Sequence, residues 1–461
     1  MTVLAHHFHS SILREYDVRG IYEETLQDQD AWAIGHCFSQ LLGEKENKTV
    51  VVCRDGRLSS PILESFLVKG LKEAGVNVIC IGVGPTPLLY YAVQSLNACG
   101  GIMITGSHNP SDYNGFKMTL KDRPVFGNEI RGFQGLAKKI HLRSHPGSAK
   151  EKDVSGLYIQ RLLSDYMPKR HLKVIWDAGN GAAGDILTRL VEEMPGEHTV
   201  LYGEIDGTFP NHHPDPTDEK NLLDIKRTLK EQKADIGIAF DGDGDRLGVI
   251  DDQGNVIWGD QLLMLFSRSL LKEKPGSTII SDVKASDSLF EDIAAHGGVP
   301  LMWTTGHSLI KKKMKESGAL LAGEMSGHIF FADHYYGFDD ALYAAIRLLN
   351  IVELFDKPLS EIHTSLPRYF ATQEMRIQCS EDRKFKIIEE VKERLKKETS
   401  VDVFDLDGVR VKTNEGWWLL RASNTQDMLV CRCEAKKKKD LPKIIKEMVF
   451  HLNKSGINYT L

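Results

Sequence analysis

The sequence predicts an α/β protein of several domains with mixed sheets, closed by an α+β domain, and three observations carry that prediction. Short apolar runs rich in β-branched residues alternate with segments of helical periodicity over most of the chain, the mark of strand-helix-strand units. The 461 residues exceed what one hydrophobic core organises, so about three or four domains are expected. Beyond Pro367 the alternation stops and a charged helix is followed by short strand-like runs.

In order, "KTVVVCRD" (48–55), "VNVICIGVG" (76–84) and "CGGIMITG" (99–106) read as strands ending at Gly or Asp. Between the first two, "SSPILESFLVKGLKEAG" starts on serines, carries Pro61 early and sets Leu63, Phe66, Leu67 and Leu71 at helical spacing. "LKVIWDAGNGAAGDILTRLVEEM" (172–194) reads strand, glycine-rich turn, helix. "KNLLDIKRTLKEQKADIGIAFDGDGDRLGVI" (220–250) reads helix, strand, acidic loop, strand. "STIISDVKASDSLFEDIAAHG" (277–297) and "VPLMWTTGHSLIKKKMKESGALLAGEMSGHIFF" (299–331) continue the pattern. "EDRKFKIIEEVKERLKKET" (381–399) is a charged helix, followed by three strand-like runs and a lysine-rich helix that Lys436 to Lys439 approach as a solvated stretch.

Composition narrows the function. With 41% hydrophobic and 26% charged residues the chain is of the ordinary globular kind, and a net charge of -6 gives no electrostatic reason to expect nucleic acid. A small-molecule partner is expected, with no membrane and no obligate protein partner. No apolar run approaches the roughly 20 residues of a membrane span. The seven cysteines, Cys37, Cys53, Cys80, Cys99, Cys379, Cys431 and Cys433, show no CxxC spacing, which argues against a disulfide framework or zinc site and for a reducing compartment. The first residues, MTVLAHHFHSSILREYDVRG, lack the features of a signal peptide, so the cytoplasm is the expected location.

The chemistry gathers in a few short stretches. In "IGIAFDGDGDRLGVI" Asp241, Asp243 and Asp245 alternate with glycines, and three carboxylates so close require a cation among them; oxygen donors suit Mg²⁺ or Ca²⁺. An EF-hand fits badly, because Arg246 stands where that loop needs glycine and Asp252 where it needs glutamate. Gly179, Gly181 and Gly184 keep GxGxxG spacing, with Glu204 placed where a ribose-binding acid would sit. Asp177 at the mouth of that turn is awkward beside a pyrophosphate, so a tight helix-strand turn is the better reading. "ITGSHNP" (104–110) presents Ser107 between Gly106 and His108 ahead of an Asn-Pro turn. "GEMSGH" (323–328) offers groups suited to a polyol ring, and "RASNTQ" (421–426) groups that grip a phosphate without metal.

The motifs "TGSHNP", "DGDGDR", "GEMSGH" and "RASNT", in this order and at these separations, resemble the α-D-phosphohexomutase superfamily, most closely its bacterial phosphomannomutase/phosphoglucomutase branch. The likeness runs over essentially the whole chain. It implies three similar α/β domains with mixed sheets, at 1–152, 153–255 and 256–367, and an α+β domain of TATA-binding-protein-like fold at 368–461, around a central cleft.

The resemblance further implies that Ser107 is phosphorylated and that Asp241, Asp243 and Asp245 hold Mg²⁺ together with a phosphoserine oxygen. Arg246 would lie beside the metal loop, Glu324, Ser326 and His328 on sugar hydroxyls, and Arg421, Ser423, Asn424 and Thr425 on the non-reacting phosphate. Tyr16, Arg19, Lys284 and His307 match positions that line the site. The implied reaction is reversible phosphoryl transfer between C1 and C6 of a mannose or glucose phosphate, through a hexose 1,6-bisphosphate. Lys117, His108 and His328 are rival general bases, between which the sequence does not choose. Gly106 before the serine, where phosphoglucosamine mutases tend to show alanine, and Met325, where they tend to show a polar residue, resemble the mannose/glucose branch rather than the glucosamine one. A phosphoglucosamine mutase, a metal-dependent sugar phosphatase and a noncatalytic cation- or dinucleotide-binding protein are the other readings of the same residues.

Overall fold

A computed structural model describes residues 3–43, 48–396, 401–423 and 427–459. Its chain forms two compact units, one running up to Phe266 and including Ser326–Ser365, the other made of Ser267–Met325 with the chain from Leu366 onward.

The first unit holds two mixed sheets. In the larger, the strands run Val18–Ile21, Tyr113–Leu120, Gly100–Ile104, Thr49–Arg54, Asn77–Val83, Ala149–Glu151 across the sheet. The middle strands are parallel and Tyr113–Leu120 is antiparallel to both its neighbours. Thr49–Arg54 is apolar throughout its centre, as a strand buried on both faces must be. The helix Ser60–Glu73, with Pro61 in its first turn, turns Leu63, Leu67 and Leu71 into the same core as Val50, Val52 and Ile102. In the second sheet the order is Glu197–Leu201, Lys173–Asp177, Ile236–Phe240, Leu247–Asp251, Val256–Ile257, again parallel and then antiparallel.

The second unit contains the parallel strands Val299–Trp303, Thr278–Asp282 and Leu321–Gly323, in that order. It also contains an antiparallel sheet, Phe370–Ala371, Met428–Ala435, Gly416–Ala422, Val409–Lys412, Asp402–Phe404, with Met375–Gln378 also paired to Met428–Ala435. The helices Glu381–Leu395 and Leu441–Lys454 cover one face of it through Ile387, Val391, Ile444 and Met448. Cys431 and Cys433 are buried in this core as free thiols. The strand-like runs after the charged helix number one more than expected. One of the four, Asp402–Phe404, lies at a sheet edge with all three residues exposed.

One topological regularity positions the chemistry. In the first two sheets the first four strands of the repeated unit lie in the order second, first, third, fourth, and the fourth is antiparallel. The parallel strands of the second unit repeat the order second, first, third. Parallel neighbours need crossover helices, whereas an antiparallel fourth strand needs only a hairpin. Ser107 lies on the connection from third to fourth strand in the first sheet, and Asp241, Asp243 and Asp245 on the same connection in the second. "GEMSGH" occupies the chain from Leu321–Gly323 to Ile329–Phe331.

Candidate active site

The serine loop leaves Gly100–Ile104 and is built to hold one residue in an unusual conformation. Ser107 has φ 49°, the left-handed region that a Cβ disfavours. Its N–H donates to Thr105 Oγ1 at 2.8 Å. Behind it Arg57, fully buried, donates from Nη2 to Ser107 O (2.8 Å) and Asn109 O (2.7 Å), and from Nη1 to Tyr113 O (2.8 Å) and Pro110 O. Asp55 accepts from Arg57 Nε at 3.0 Å and from the Gly106 N–H at 3.2 Å. A Cβ on Gly106 would stand 2.3 Å from Arg57 Cζ, so that position is closed to any side chain. Arg19 donates to Gly106 O and to Asn109 Oδ1 (2.8 Å) and pairs with Asp17. Tyr16 is buried just before the strand Val18–Ile21.

Ser107 is itself nearly inaccessible, and its Oγ donates to Asp241 Oδ2 at 3.1 Å across 134 residues of sequence. His108 Nδ1 lies 3.3 Å from the same oxygen. Burial, with Arg246, Arg19 and Lys117 adding to it, pushes the His108 pKa well below the usual imidazole range.

The acidic loop places three fully buried carboxylates together, with one oxygen of each within 4.8 Å of the others. Asp241 Oδ1 accepts the N–H groups of Asp245 and Arg246 at 3.1 Å each, which closes the turn. Gly244 has φ 71° within it, and a Cβ on Gly242 would lie 2.4 Å from Ser107 O, so the two loops touch backbone to backbone. Asp243 is held by Thr86, whose N–H donates to Asp243 O at 2.8 Å and whose hydroxyl donates to Asp243 Oδ2. Burial, then Asp245 and Asp243, push the Asp241 pKa well up. Lys117 answers that repulsion with Nζ 2.6 Å from Asp243 Oδ2 and 2.5 Å from Asp245 Oδ2. Burial opposes its charge, but the three aspartates outweigh burial and raise its pKa. Asp243 Oδ1 is buried without a hydrogen bond. An all-oxygen cluster with a carboxylate oxygen left over fits a hard divalent cation.

Around this cluster Arg246 Nε donates to His328 Nε2 at 3.3 Å, His328 Nε2 lies 3.2 Å from Asp245 Oδ1, and His328 Nδ1 lies 3.1 Å from Ser326 Oγ. Asp339 joins Asp245 and His328 in a second set of close ligand atoms. Thus Arg19, Ser107, His108, Lys117, Asp241, Asp243, Asp245, Arg246, Ser326 and His328 form one connected group in the first unit.

The remaining expected residues lie in the second unit. Glu324, buried, accepts the Gly306 N–H at 2.7 Å, at the start of the helix His307–Ser317. Lys284 Nζ is 3.3 Å from Glu374 Oε2 and 3.8 Å from Asp282 Oδ2. Both Asp282 carboxylate oxygens are buried without a hydrogen bond, and burial pushes its pKa up to about 6 despite Lys284. Arg421 Nε donates to Asp407 Oδ2 at 3.0 Å, and that oxygen also accepts the Thr305 N–H at 3.1 Å. Ser423 is tied by its backbone, donating to Met428 O at 2.9 Å and accepting from Lys384 Nζ at 2.7 Å. Asn424 and Thr425 lie outside the described residues.

Sequence reasoning passed over Asp55, Arg57, Thr86 and Asp282. The signal for two of them is faint but present: "CRDGR" puts three charges directly behind an apolar strand, where exposed residues would not need to alternate with glycine.

Four family profiles match in order: phosphoglucomutase/phosphomannomutase alpha/beta/alpha domain I over residues 10–133, domain II over 157–254, domain III over 258–370 and the C-terminal domain over 374–451. A phosphomannomutase/phosphoglucomutase of Pseudomonas syringae pv. tomato is 45% identical over 442 residues, 96% of this chain and 94% of its own. A phosphoglucomutase of Neisseria meningitidis serogroup A is 43% identical over 429 residues, 92% of this chain and 93% of its own. The crystal structure of a phosphoglucomutase/phosphomannomutase family protein from Burkholderia thailandensis superposes with a TM-score of 0.91 at 40% identity, covering 98% of this chain and 99% of that one. The chain belongs to the phosphoglucomutase/phosphomannomutase family, and as such it is a phosphohexomutase, an isomerase.

Proposed function

We propose that the chain interconverts the 1- and 6-phosphates of mannose and of glucose through a phosphorylated Ser107 and a hexose 1,6-bisphosphate that also serves as activator. The observation that carries this reading is Ser107 Oγ, held by a left-handed backbone 3.1 Å from one of three clustered carboxylates.

In this reading the bond from phosphorus to Ser107 Oγ breaks as the free C1 or C6 hydroxyl of the bound sugar attacks in line, and that hydroxyl loses its proton. The bisphosphate then turns over, and its other phosphoryl returns to Ser107. Asp241, Asp243 and Asp245 would hold Mg²⁺, which supplies neutralisation of charge on the transferring group. Lys117, as a cation committed to Asp243 and Asp245, is a poor proton acceptor. His108, 3.3 Å from Ser107 Oγ, is assigned the proton. Arg421 and Lys284, whose present partners are carboxylates, would exchange them for the oxygens of the second phosphate. Glu324, Ser326 and His328 would bind ring hydroxyls. Free thiols at all seven cysteines agree with a cytoplasmic enzyme.

Ser107→Ala is expected to lower isomerisation of mannose 1-phosphate and glucose 1-phosphate by at least about 10³-fold, because no other group can carry the phosphoryl between half-reactions. The measurement is a coupled assay with and without Mg²⁺, beside peptide mass mapping of Ser107. Full activity in the variant would sink the phosphoserine route. Release of inorganic phosphate in place of isomer would make the enzyme a phosphatase, and a dominant rate on glucosamine 1-phosphate would move it to the phosphoglucosamine branch.

A further inference from the structure

The glycine-rich turn that follows Lys173–Asp177 has no place in the chemistry above, yet it touches the metal loop. Ala182 N–H donates to Gly242 O at 2.9 Å, and a Cβ on Gly181 would lie 2.9 Å from that same oxygen. On the other side of Gly242, its own N–H donates to Pro214 O at 3.1 Å. Gly242 is thus held by one hydrogen bond from the turn and one from the segment at Pro214, and it lies directly against Ser107 O. Pro214 is buried between Gly179 and Gly242, which a Cβ would bring to 3.0 Å and 3.3 Å of its ring.

Two side chains tie the Pro214 segment to the turn, Asn211, whose Nδ2 donates to Asn180 Oδ1 at 2.8 Å, and His212. His212 Nε2 lies 3.0 Å and 3.1 Å from the two oxygens of Asp177, a fully buried carboxylate that also accepts the Gly179 N–H at 2.9 Å. Its Nδ1 lies 3.0 Å from the backbone oxygen of His213. A carboxylate and a carbonyl only accept, so both ring nitrogens donate, and a ring that donates twice is an imidazolium. The groups facing it are Asp177 from the strand, Tyr202 edge-on at 5.4 Å beyond Glu197–Leu201, and Asp224 on the helix Leu223–Gln232, where Arg227 pairs with it. Burial opposes the charge of His212, and Asp177 more than offsets it, so its pKa is raised.

We infer that His212 is a positioning residue for metal binding: its doubly donating ring locks the Pro214 segment onto the glycine-rich turn, and the two together set Gly242 and hence the spacing of Asp241 and Asp243. The inference rests on the reading of Asp241, Asp243 and Asp245 as metal ligands. Groups that orient ligands from behind typically alter metal affinity by about 10- to 100-fold when removed.

The test titrates Mn²⁺ into metal-free enzyme, followed by calorimetry and by electron paramagnetic resonance of free Mn²⁺, for the wild type, Asp241→Asn, His212→Gln and Asp177→Asn. His212→Gln keeps a donor for Asp177 but loses the charge and the second donor. It is expected to bind Mn²⁺ about tenfold more weakly, with kcat at saturating Mg²⁺ and KM for the sugar phosphate close to wild type. Asp177→Asn is expected to match it, and the double variant to add little, since both changes break one pair. An unchanged Mn²⁺ affinity, or a loss confined to kcat or to sugar-phosphate KM, would overturn the inference. Should His212→Gln fail to fold, Asp177→Asn is read by the same criteria. If wild type and Asp241→Asn bound Mn²⁺ alike, the ligand reading would fall and the inference with it.

Discussion

At the scale of single residues, the cost of a left-handed serine facing carboxylates is met from behind. All five N–H donors of Arg57 are engaged, four by backbone oxygens of the serine loop and one by Asp55. A lysine has three donors and no plane, so it cannot replace that fork. Arg57→Lys is therefore expected to destabilise the enzyme by about 3 kcal/mol, as when one partner of a buried pair is removed. It should also lower kcat while leaving KM nearly unchanged; thermal unfolding and steady-state kinetics read both, and a variant unaltered in both would deny the cradle its role. Ser107 was legible in the sequence and Arg57 was not, for a physical reason. A nucleophile announces itself by a local motif, whereas the acceptors of Arg57 are carbonyl oxygens, which every residue carries and no pattern marks.

At the scale of elements, the strand Val409–Lys412 shows how the two sheets of the second unit are joined. Arg410 is buried, donates to Val283 O (2.6 Å), Ala285 O (3.0 Å) and Asp287 Oδ1 (2.7 Å), and stacks 3.7 Å above the Trp417 ring. Burial lowers its pKa to about 10 even though Asp287 opposes the shift, so the charge is held in place by its partners. Arg410→Ala leaves Asp287 buried without that partner and is expected to cost about 3 kcal/mol, seen as a lower first transition in calorimetry and faster cleavage within the chain from Leu366 onward. An unaltered melting profile and digestion pattern would show that the apolar cluster of Val283, Trp417 and Leu419 suffices. The alternating strands and helices of the first unit were readable because burial on both faces makes their strands continuously apolar. Asp402–Phe404, at an exposed edge, is under no such burial constraint.

At the scale of the molecule, the acidic cluster makes stability depend on its cation. Three buried carboxylates destabilise the folded chain unless charge is supplied, and Lys117 brings a single positive charge. A cation that binds only the folded state at 100 times its Kd adds about 2.7 kcal/mol. Mg²⁺ is expected to raise the unfolding temperature of metal-free enzyme by a few degrees, Asp241→Asn should abolish the increment, and an equal response in both would place the ion elsewhere. Family and reaction were readable from four motifs because each is a dense group of polar side chains at a strand end. The support from Asp177 and His212 was not, since their meeting depends on how the chain returns after 35 residues. The hairpin from third to fourth strand has one further consequence. Because it joins antiparallel neighbours, its length is free of any crossover helix, and doubling such a loop costs only about 0.6 kcal/mol of closure entropy. Length changes at the exposed Ser111 and Asp112 would leave the sheet beneath intact, whereas the chain from Gly106 to Pro110, gripped by Arg57, and Gly242, lying against Ser107 O, leave no room for them, so the rim of this loop is open to variation and its nucleophile is not.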